Sequence, residues 1–132
     1  MSGENLRRRS RREIEEERRF SNQPFLTDLL PVIDNVGRAI EAASQSPDAS
    51  GLLEGFQMVA RQLIETLAKH HCSRIEAEGQ PFDPSLHEAI SQQPSDEHDS
   101  GTVVLVALPG YQLHDRVIRP AQVIVSTGPA DT

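Results

Sequence analysis

Three potential metal ligands stand side by side in the sequence, at His70, His71 and Cys72. Imidazole nitrogen and thiolate sulfur are good ligands for zinc. Adjacent side chains point in different directions, however, and no second ligand pair follows at the spacing of a zinc finger. We therefore expect no metal site here. We interpret the two histidines as the polar end of a helix, where cations are favoured near the terminal carbonyl groups.

A second chemical possibility is an acid–base pair, because His87 follows Asp83 by four residues and precedes Glu88. Such a pair could move protons in an enzyme. No serine or cysteine nucleophile motif lies near it, and the sequence contains no glycine-rich phosphate-binding loop. We favour a short capped turn in which His87 bonds to backbone. On the residues alone, an enzyme that uses His87 and Asp83 is the alternative.

Basic residues cluster near the N-terminus, where Arg7, Arg8 and Arg9 are followed by Arg11 and Arg12. Basic arms can bind nucleic acid through phosphate contacts. Glutamates follow directly, no aromatic side chain in the cluster could stack on bases, and the net charge of the chain is −7. We therefore expect no nucleic-acid binding. A solvated helix face, or an ionic contact with an acidic protein, fits the pattern better.

Three helical segments would position these groups. Residues 4–20 are dominated by Arg and Glu and contain no Gly or Pro, which favours a solvated helix. Two further segments, residues 25–43 and 53–67, carry apolar stripes at alternating three- and four-residue spacing and flank a turn-like stretch. Pro24 and Pro31 predict a kink or break near each proline.

The two apolar stripes also predict an oligomer. Two helices of this length cannot bury both stripes against each other alone, whereas a pair of hairpins from two chains buries them in a four-helix bundle. We therefore expect a homodimer. Its expected core positions are Leu29, Ile33, Phe56 and Leu63. Gly55 lies in the same bundle, where it either allows close helix packing or leaves room for a partner.

Beyond the helices, prolines and glycines punctuate short segments. Residues 102–108 are rich in β-branched side chains, residues 117–126 show alternating valines, and Pro109-Gly110 between them indicates a turn. We predict an α+β protein. Residues 1–74 would form a helical dimerisation region with a coiled coil or four-helix bundle, and residues 75–132 a small antiparallel β-domain.

The composition and the first residues of the sequence indicate the compartment in which the protein works. No run of about 18 apolar residues exists, so we predict no transmembrane helix and no membrane partner. The first residues are arginine and glutamate rather than a basic stub followed by an apolar stretch, so we expect no signal peptide. The single cysteine, Cys72, excludes an internal disulfide and fits a reducing compartment. We predict a cytoplasmic location.

A spaced set of residues resembles the signature of the GrpE family. It begins upstream with Glu4-Asn5-Leu6 and three arginines, Leu29-Leu30-Pro31-Val32-Ile33-Asp34 and Glu54-Gly55. It continues with Phe82-Asp83-Pro84, His87, Ala89-Ile90, Gly110-Tyr111, Asp115, Ile118-Arg119, Ala121, Val123 and Val125. The resemblance covers about residues 4–126 in order.

This resemblance implies a homodimeric nucleotide exchange factor of DnaK-type chaperones, acting in protein folding and the stress response. Such a factor is not an enzyme, so the resemblance implies no catalytic residue and no cofactor. One protomer's β-domain would dock on the chaperone's nucleotide-binding domain and hold its cleft open, which releases ADP. The residues that match the family's contact regions are Arg7, Arg8, Gly55, Pro84, Ala107, Arg116 and Arg119. The last two are also the only basic residues after position 74, which favours a partner contact. The alternative is a dimeric coiled-coil scaffold without exchange activity.

Three departures from the family pattern accompany the resemblance. Family chains usually carry an acidic tail and most of a long helix before the position of Glu4, and the family's thermosensing and substrate-competition roles are attributed to that part. Pro24 falls where relatives generally continue the helix. Ala107 and Pro109 stand where some relatives have larger or charged residues, which predicts a weaker chaperone contact there.

Overall fold

The computed structural model describes residues 2–130 and begins with three helices. They are α1, Ser2–Phe20; α2, Gln23–Ser44; and α3, Ser50–Lys69. On α1, Leu6 and Ile14 are exposed, as expected for a helix that its charged residues stabilise in solvent. A short turn at residues 45–49 joins α2 to α3, so these two helices form the predicted hairpin.

Proline determines where α2 begins. Pro24 lies in the first turn of α2, where the missing N–H would have no helical partner, and α1 ends before it at Phe20. Pro31 lies inside α2, and the helix continues through it to Ser44. The predicted kink or break is therefore confirmed as a break before Pro24. At Pro31 the helix is not broken, and the buried neighbours Leu30 and Ile33 pack that turn against the core.

Within residues 2–130, six strands follow the helices and form two three-stranded sheets. The first sheet has the order β1-β4-β5, and the second has the order β2-β6-β3. The strands are β1, Cys72–Arg74; β2, His87–Gln93; β3, Val103–Leu108; β4, Tyr111–Leu113; β5, Arg116–Arg119; and β6, Ala121–Ser126.

One strand pair departs from the expected antiparallel arrangement. β2 runs parallel to β6, with His87 opposite Ala121, whereas β3 runs antiparallel to β6. A tight hairpin cannot join parallel neighbours, so the connection must cross the domain. Here it passes through β3, β4 and β5 before the chain reaches β6. The predicted α+β class is confirmed, and its β-region is mixed rather than purely antiparallel.

The two sheets have separate hydrophobic cores. The first sheet shares its core with the helices: Leu26, Leu30, Ile33 and Leu67 pack with Cys72, Tyr111 and Leu113. The second sheet encloses a smaller cluster of Ala77, Val103, Ala121, Val123 and Val125. The predicted boundary between residues 74 and 75 therefore crosses a region where helices and strands share one core.

Gly110 permits a close approach where the chain passes from the second sheet to the first. The turn Pro109-Gly110 joins β3 to β4, and Pro120 joins β5 to β6 beside it. A Cβ atom on Gly110 would lie 2.8 Å from the Cα of Ala121 and closer still to its backbone nitrogen. Only glycine fits here, so this crossing fixes how the second sheet is held on the first.

None of the helices within residues 2–130 is both long enough and apolar enough to cross a membrane.

Candidate functional site

Arg119 connects β5 to α2 through a network of hydrogen bonds. Its guanidinium donates to both carboxylate oxygens of Asp34, at 2.7 and 2.9 Å. The same group donates to the carbonyl oxygen of Pro109 from Nε at 3.0 Å and from Nη2 at 2.6 Å. The side chains of Arg119 and Asp34 are 20% and 11% exposed. The ion pair is therefore largely withdrawn from solvent and joins the helices to the β-region.

Arg116, the first residue of β5, contacts α1 and α2. Its guanidinium carbon lies 3.6 Å from the centre of the Phe20 ring, a cation–π geometry. It also donates to Gln23 at 2.8 Å and to Glu16 at 3.2 Å. The sequence predicted that Arg116 and Arg119 serve a chaperone. In the structure both side chains form contacts within the chain, and their contacts with a chaperone stay predictions.

His71 and His114 stack at the junction between α3 and the β4–β5 turn. Their ring centres are 4.6 Å apart, and Phe20 meets His114 edge-on at 5.7 Å. Both histidines have positive φ values, 65° and 54°, so each makes a left-handed turn. Arg19 approaches Asp115 at 3.6 Å on the same side. The C-terminal end of α1 thus packs against the turn between β4 and β5.

The stability of this contact between α1 and the β4–β5 turn should depend on pH. Burial between aromatic rings, together with the nearby charges of Arg19 and His71, lowers the pKa of His114, although Asp115 opposes the shift. A lowered pKa means that the unfolded chain binds the proton more readily. The stabilisation is therefore fully present above about pH 6.5, the ordinary value for histidine, and is lost as the pH falls.

We expect the melting temperature of the protein to fall more between about pH 7.5 and about pH 5.5 than that of His114→Asn, since asparagine does not titrate and tolerates a left-handed turn. Thermal melts across this range give the comparison. Glu16, Arg19, His71, Asp115 and Arg116 face the same junction, so His71→Asn is the matched control for the neighbouring ring. Parallel pH curves for the protein and His114→Asn would contradict the assignment to His114.

The segment His70-His71-Cys72 is divided among different environments. His70 ends α3, His71 stacks on His114, and Cys72 is buried in the shared core, where burial raises the pKa of its thiol. Among residues 2–130, no three His, Cys, Asp or Glu side chains are grouped to hold a metal ion. These residues have structural roles at the start of the β-region.

His87 and Asp83 form a turn. The backbone N–H of Asp83 donates to Nδ1 of His87 at 3.0 Å, as the capped-turn interpretation expects. The Asp83 carboxylate accepts from the hydroxyl and the backbone N–H of Ser85, and these bonds lower the pKa of the carboxyl. His87 is buried, and its Nε2 has no hydrogen-bond partner among the described residues. The carboxylate and the imidazole are thus not arranged as a proton-transfer pair.

The remaining predicted contact residues lie on four different elements, and all are exposed. Arg7 and Arg8 lie on α1, Gly55 on α3, Pro84 in the loop before β2, and Ala107 on β3. In the part of the chain that the structure describes, no atom lies within 4 Å of a Cβ built on Gly55. Gly55 is therefore not required for packing within one chain, and a larger side chain fits there.

Leu105 is an exposed apolar residue whose exposure the sequence alone did not indicate. It is 48% exposed on β3, and its register partner on β6 is the partly buried Ile124. Val103 and Val123 on the same strands are fully buried. The run from Val103 to Leu108 is apolar at every position, so its periodicity did not reveal which residues face outwards. Leu105 and Ala107 together give β3 an exposed apolar surface.

The predicted dimer-core residues all lie on the side of α2 and α3 that is at least partly covered. Ile33 is 3% exposed in the shared core, Leu29 and Leu63 pack against that core, and Phe56 is partly buried. Other large apolar side chains on these helices remain outside it. They are Phe25, Val32, Leu52, Met58 and Val59, which are 48–68% exposed.

Comparison with known proteins gives a consistent match along the chain. The family model described as GrpE matches residues 2–127. A protein named Protein GrpE from Rhodopirellula baltica is 56% identical over 128 residues, which is 95% of this chain and 64% of that protein. Proteins of the same name from Exiguobacterium sibiricum and Bacillus subtilis are 45% and 44% identical over 123 residues, 93% of this chain and 65% and 66% of theirs.

The chain thus spans slightly less than two thirds of the length of these relatives. The family model nevertheless extends over all three helices and all six strands. The residues on which the sequence resemblance was based, from Glu4 to Val125, fall inside the matched range. With 56% identity over nearly its whole length, the chain belongs to the GrpE family.

Proposed function

We propose that this chain is a nucleotide exchange factor of a DnaK-type chaperone. The observation that carries the proposal is the family match over residues 2–127, which includes every element of the fold. The protein would bind the nucleotide-binding domain of the chaperone, open its cleft and accelerate ADP release during protein folding and the stress response. It would work in the cytoplasm as a co-chaperone, without a catalytic residue or a cofactor.

The active form would be a homodimer. Exposed apolar side chains on α2 and α3, such as Phe25 at 68% and Met58 at 62%, support this part of the proposal. Burying a large apolar side chain contributes about 1.5–3 kcal/mol, so a second copy that covers several of them would be stable. The helical region 1–74 would provide the dimer contacts, and residues 75–132 would dock on the chaperone.

The exposed surface of β3 would act as a wedge, which means that it would enter the chaperone's nucleotide-binding cleft and hold the cleft open. Leu105 and Ala107 offer apolar area on a strand that the Gly110 crossing and the Arg119 network attach to the helices. A wedge can hold the cleft open only if its orientation is fixed, and both attachments fix the orientation of β3. Gly55 on α3 and the arginine pair Arg7 and Arg8 on α1 would add contacts along the helices.

Exchange would follow from preferential binding to the open cleft. ADP contacts both lobes of the chaperone cleft, so a partner that binds the open form better lowers the affinity for ADP. Linkage requires the reverse effect as well, so nucleotide binding would expel the exchange factor. No covalent step is needed, and the chain acts through binding free energy alone.

The deciding experiment is the release of a fluorescent ADP analogue from a DnaK-type chaperone. The chaperone is loaded with the analogue and mixed with excess unlabelled nucleotide, with and without this protein. We expect faster release in its presence. Sedimentation of the same preparation should give a dimer rather than the 14.6 kDa monomer. Unchanged release from a dimeric protein would instead support a scaffold without exchange activity.

Gly55→Asp should weaken chaperone binding at least tenfold, equivalent to about 1.4 kcal/mol. The change adds volume and a negative charge at a proposed docking surface. No atom of the described chain lies within 4 Å of the new Cβ, and Asp is no worse than Gly in a helix, so the fold should persist. Titration of labelled chaperone measures the affinity, and a thermal melt measures the fold.

Gly37→Asp is the matched control, since Gly37 is an exposed glycine within α2 and its Cβ would likewise meet nothing within 4 Å among residues 2–130. It should leave chaperone affinity within about twofold, a change of less than 1 kcal/mol. If Gly55→Asp instead unfolds the bundle, Gly55 is a packing glycine of the dimer and its docking role is wrong.

A further inference from the structure

We propose that Arg119 is a positioning residue that fixes the direction of β3 through Asp34, rather than a side chain that contacts the chaperone. The inference rests on the proposed function and changes the role that the sequence resemblance implied for Arg119. It follows from which groups Arg119 bonds, how much of it solvent reaches, and where the bonded carbonyl lies in the chain.

The guanidinium of Arg119 has little capacity left for a partner. An arginine side chain has five N–H donors, and four hydrogen bonds connect this one to Asp34 and Pro109. The Tyr111 ring lies 5.5 Å from its guanidinium carbon. One Nη1 N–H is left over from these four bonds, so a chaperone group that paired with Arg119 through two donors would have to displace Asp34 or the Pro109 carbonyl. Displacing Asp34 would leave a carboxylate that is 11% exposed without its counter-charge.

The bonded carbonyl lies at the base of the proposed wedge. Pro109 directly follows β3, two residues after the exposed Ala107. On the far side of the turn, the Gly110 carbonyl accepts a hydrogen bond from the backbone N–H of Ile75 at 2.9 Å. Arg119 thus holds the end of β3, and Asp34 holds Arg119 from α2. This chain of bonds couples the wedge to the helical region.

Substitution of Asp34 separates positioning from direct contact. If Arg119 touches the chaperone, then Asp34→Ala frees its charge and should leave binding unchanged or make it tighter. If Arg119 positions β3, then Asp34→Ala and Arg119→Ala remove the same link. Each should weaken chaperone affinity by at least fivefold, and the double variant should be no weaker than the more impaired single variant.

Asp34→Asn and Arg119→Lys guard against simple loss of folding, since both keep most of the side-chain volume. Lysine has the charge but not the planar fork that bonds two groups at once, so it should restore little of the affinity lost in Arg119→Ala. Asp28→Ala is the matched control on α2, because Asp28 is an exposed acid of the same helix. It should behave like the unmodified protein.

Hydrogen exchange of the dimer without chaperone provides a second readout that is independent of chaperone activity. In Asp34→Ala, the amide of Ile75, which bonds to Gly110, should exchange at least fivefold faster, while amides in the middle of α3 keep their protection. All variants are compared at a temperature where circular dichroism gives the full helical signal.

The outcomes are distinct. Losses of at least fivefold in both single variants that are not additive, together with faster exchange at Ile75, support positioning. Unchanged affinity for Asp34→Ala with a loss for Arg119→Ala overturns it in favour of direct contact, and additive losses overturn it as well. If the unmodified protein neither binds the chaperone nor accelerates ADP release, the proposed function fails. Unchanged exchange at Ile75 in Asp34→Ala would then overturn the positioning link by itself.

Discussion

Leu113→Ala is expected to destabilise the helices as much as the sheet in which Leu113 lies. Leu113 is 1% exposed and packs in one cluster with Leu30 and Leu67 of the helical hairpin. Removal of a buried leucine side chain costs about 2–5 kcal/mol, because the lost contacts leave a cavity. Since that cavity would adjoin α2 and α3 as well as β4, both regions should unfold together at a lower temperature.

Two spectroscopic signals follow the two sides of the shared core. Tyr111 is the only tyrosine of a chain without tryptophan and is fully buried in the first sheet, so its fluorescence reports on the strands. Far-ultraviolet circular dichroism reports on the helices. In Leu113→Ala both transitions should move to lower temperature and remain coincident. They are measured at fixed protomer concentration, because the stability of the proposed dimer depends on it.

Leu105→Ala is the matched control, because Leu105 also lies in a strand but is 48% exposed and outside both cores. It should lower the free energy of unfolding by less than about 1 kcal/mol. A helical transition that stays in place while tyrosine fluorescence changes early would show two independent units, with a boundary near residue 74 as the sequence suggested.

The helical half of the fold was predictable because each signal in it is local. Apolar spacing in α2 and α3, the turn composition between them and the position of Pro24 all act within a few residues. The family resemblance also depended on local motifs such as Phe82-Asp83-Pro84, and the family match confirms it. The capped turn of Asp83 and His87 was predictable for the same reason, since its hydrogen bond joins residues four apart.

The contacts that the sequence did not predict join distant residues. Arg119 and Asp34 are 85 positions apart, and the pairing of β2 with β6 depends on how three intervening strands fold. Asp34 had one available signal, a carboxylate that directly follows Ile33 in the apolar stripe of α2. Exposed acids occupy such positions too, as Glu65 does after Ile64, so only the fold identifies Arg119 as the partner of Asp34.

Gly110→Ala should destabilise the β-region by about 3 kcal/mol, although it adds a single methyl group. The new Cβ would lie 2.8 Å from the Cα of Ala121 and from the carbonyl carbon of Pro120, and backbone atoms cannot rotate away as a flexible side chain can. Relief requires the β3–β4 turn to separate from the β5–β6 connection. That movement would also pull the Pro109 carbonyl from Arg119.

Gly37→Ala is the control for the general effect of replacing glycine. Its Cβ would meet nothing within 4 Å in the described chain, and alanine is favoured over glycine inside a helix by about 1 kcal/mol, so this variant should be as stable as the original or more stable. The two alanine variants should therefore change stability in opposite directions. Chemical denaturation followed by tyrosine fluorescence and circular dichroism measures both.

The functional consequence of Gly110→Ala should be measurable below its melting temperature. Because β3 would keep its sequence but lose its fixed direction, we expect the proposed acceleration of ADP release to fall at least tenfold at equal concentration of folded protein, about 1.4 kcal/mol. Leu105 and Ala107 would still be exposed, so residual binding at high concentration is expected. Full exchange activity in a folded Gly110→Ala protein would mean that the orientation of β3 does not matter and that the helices carry the activity.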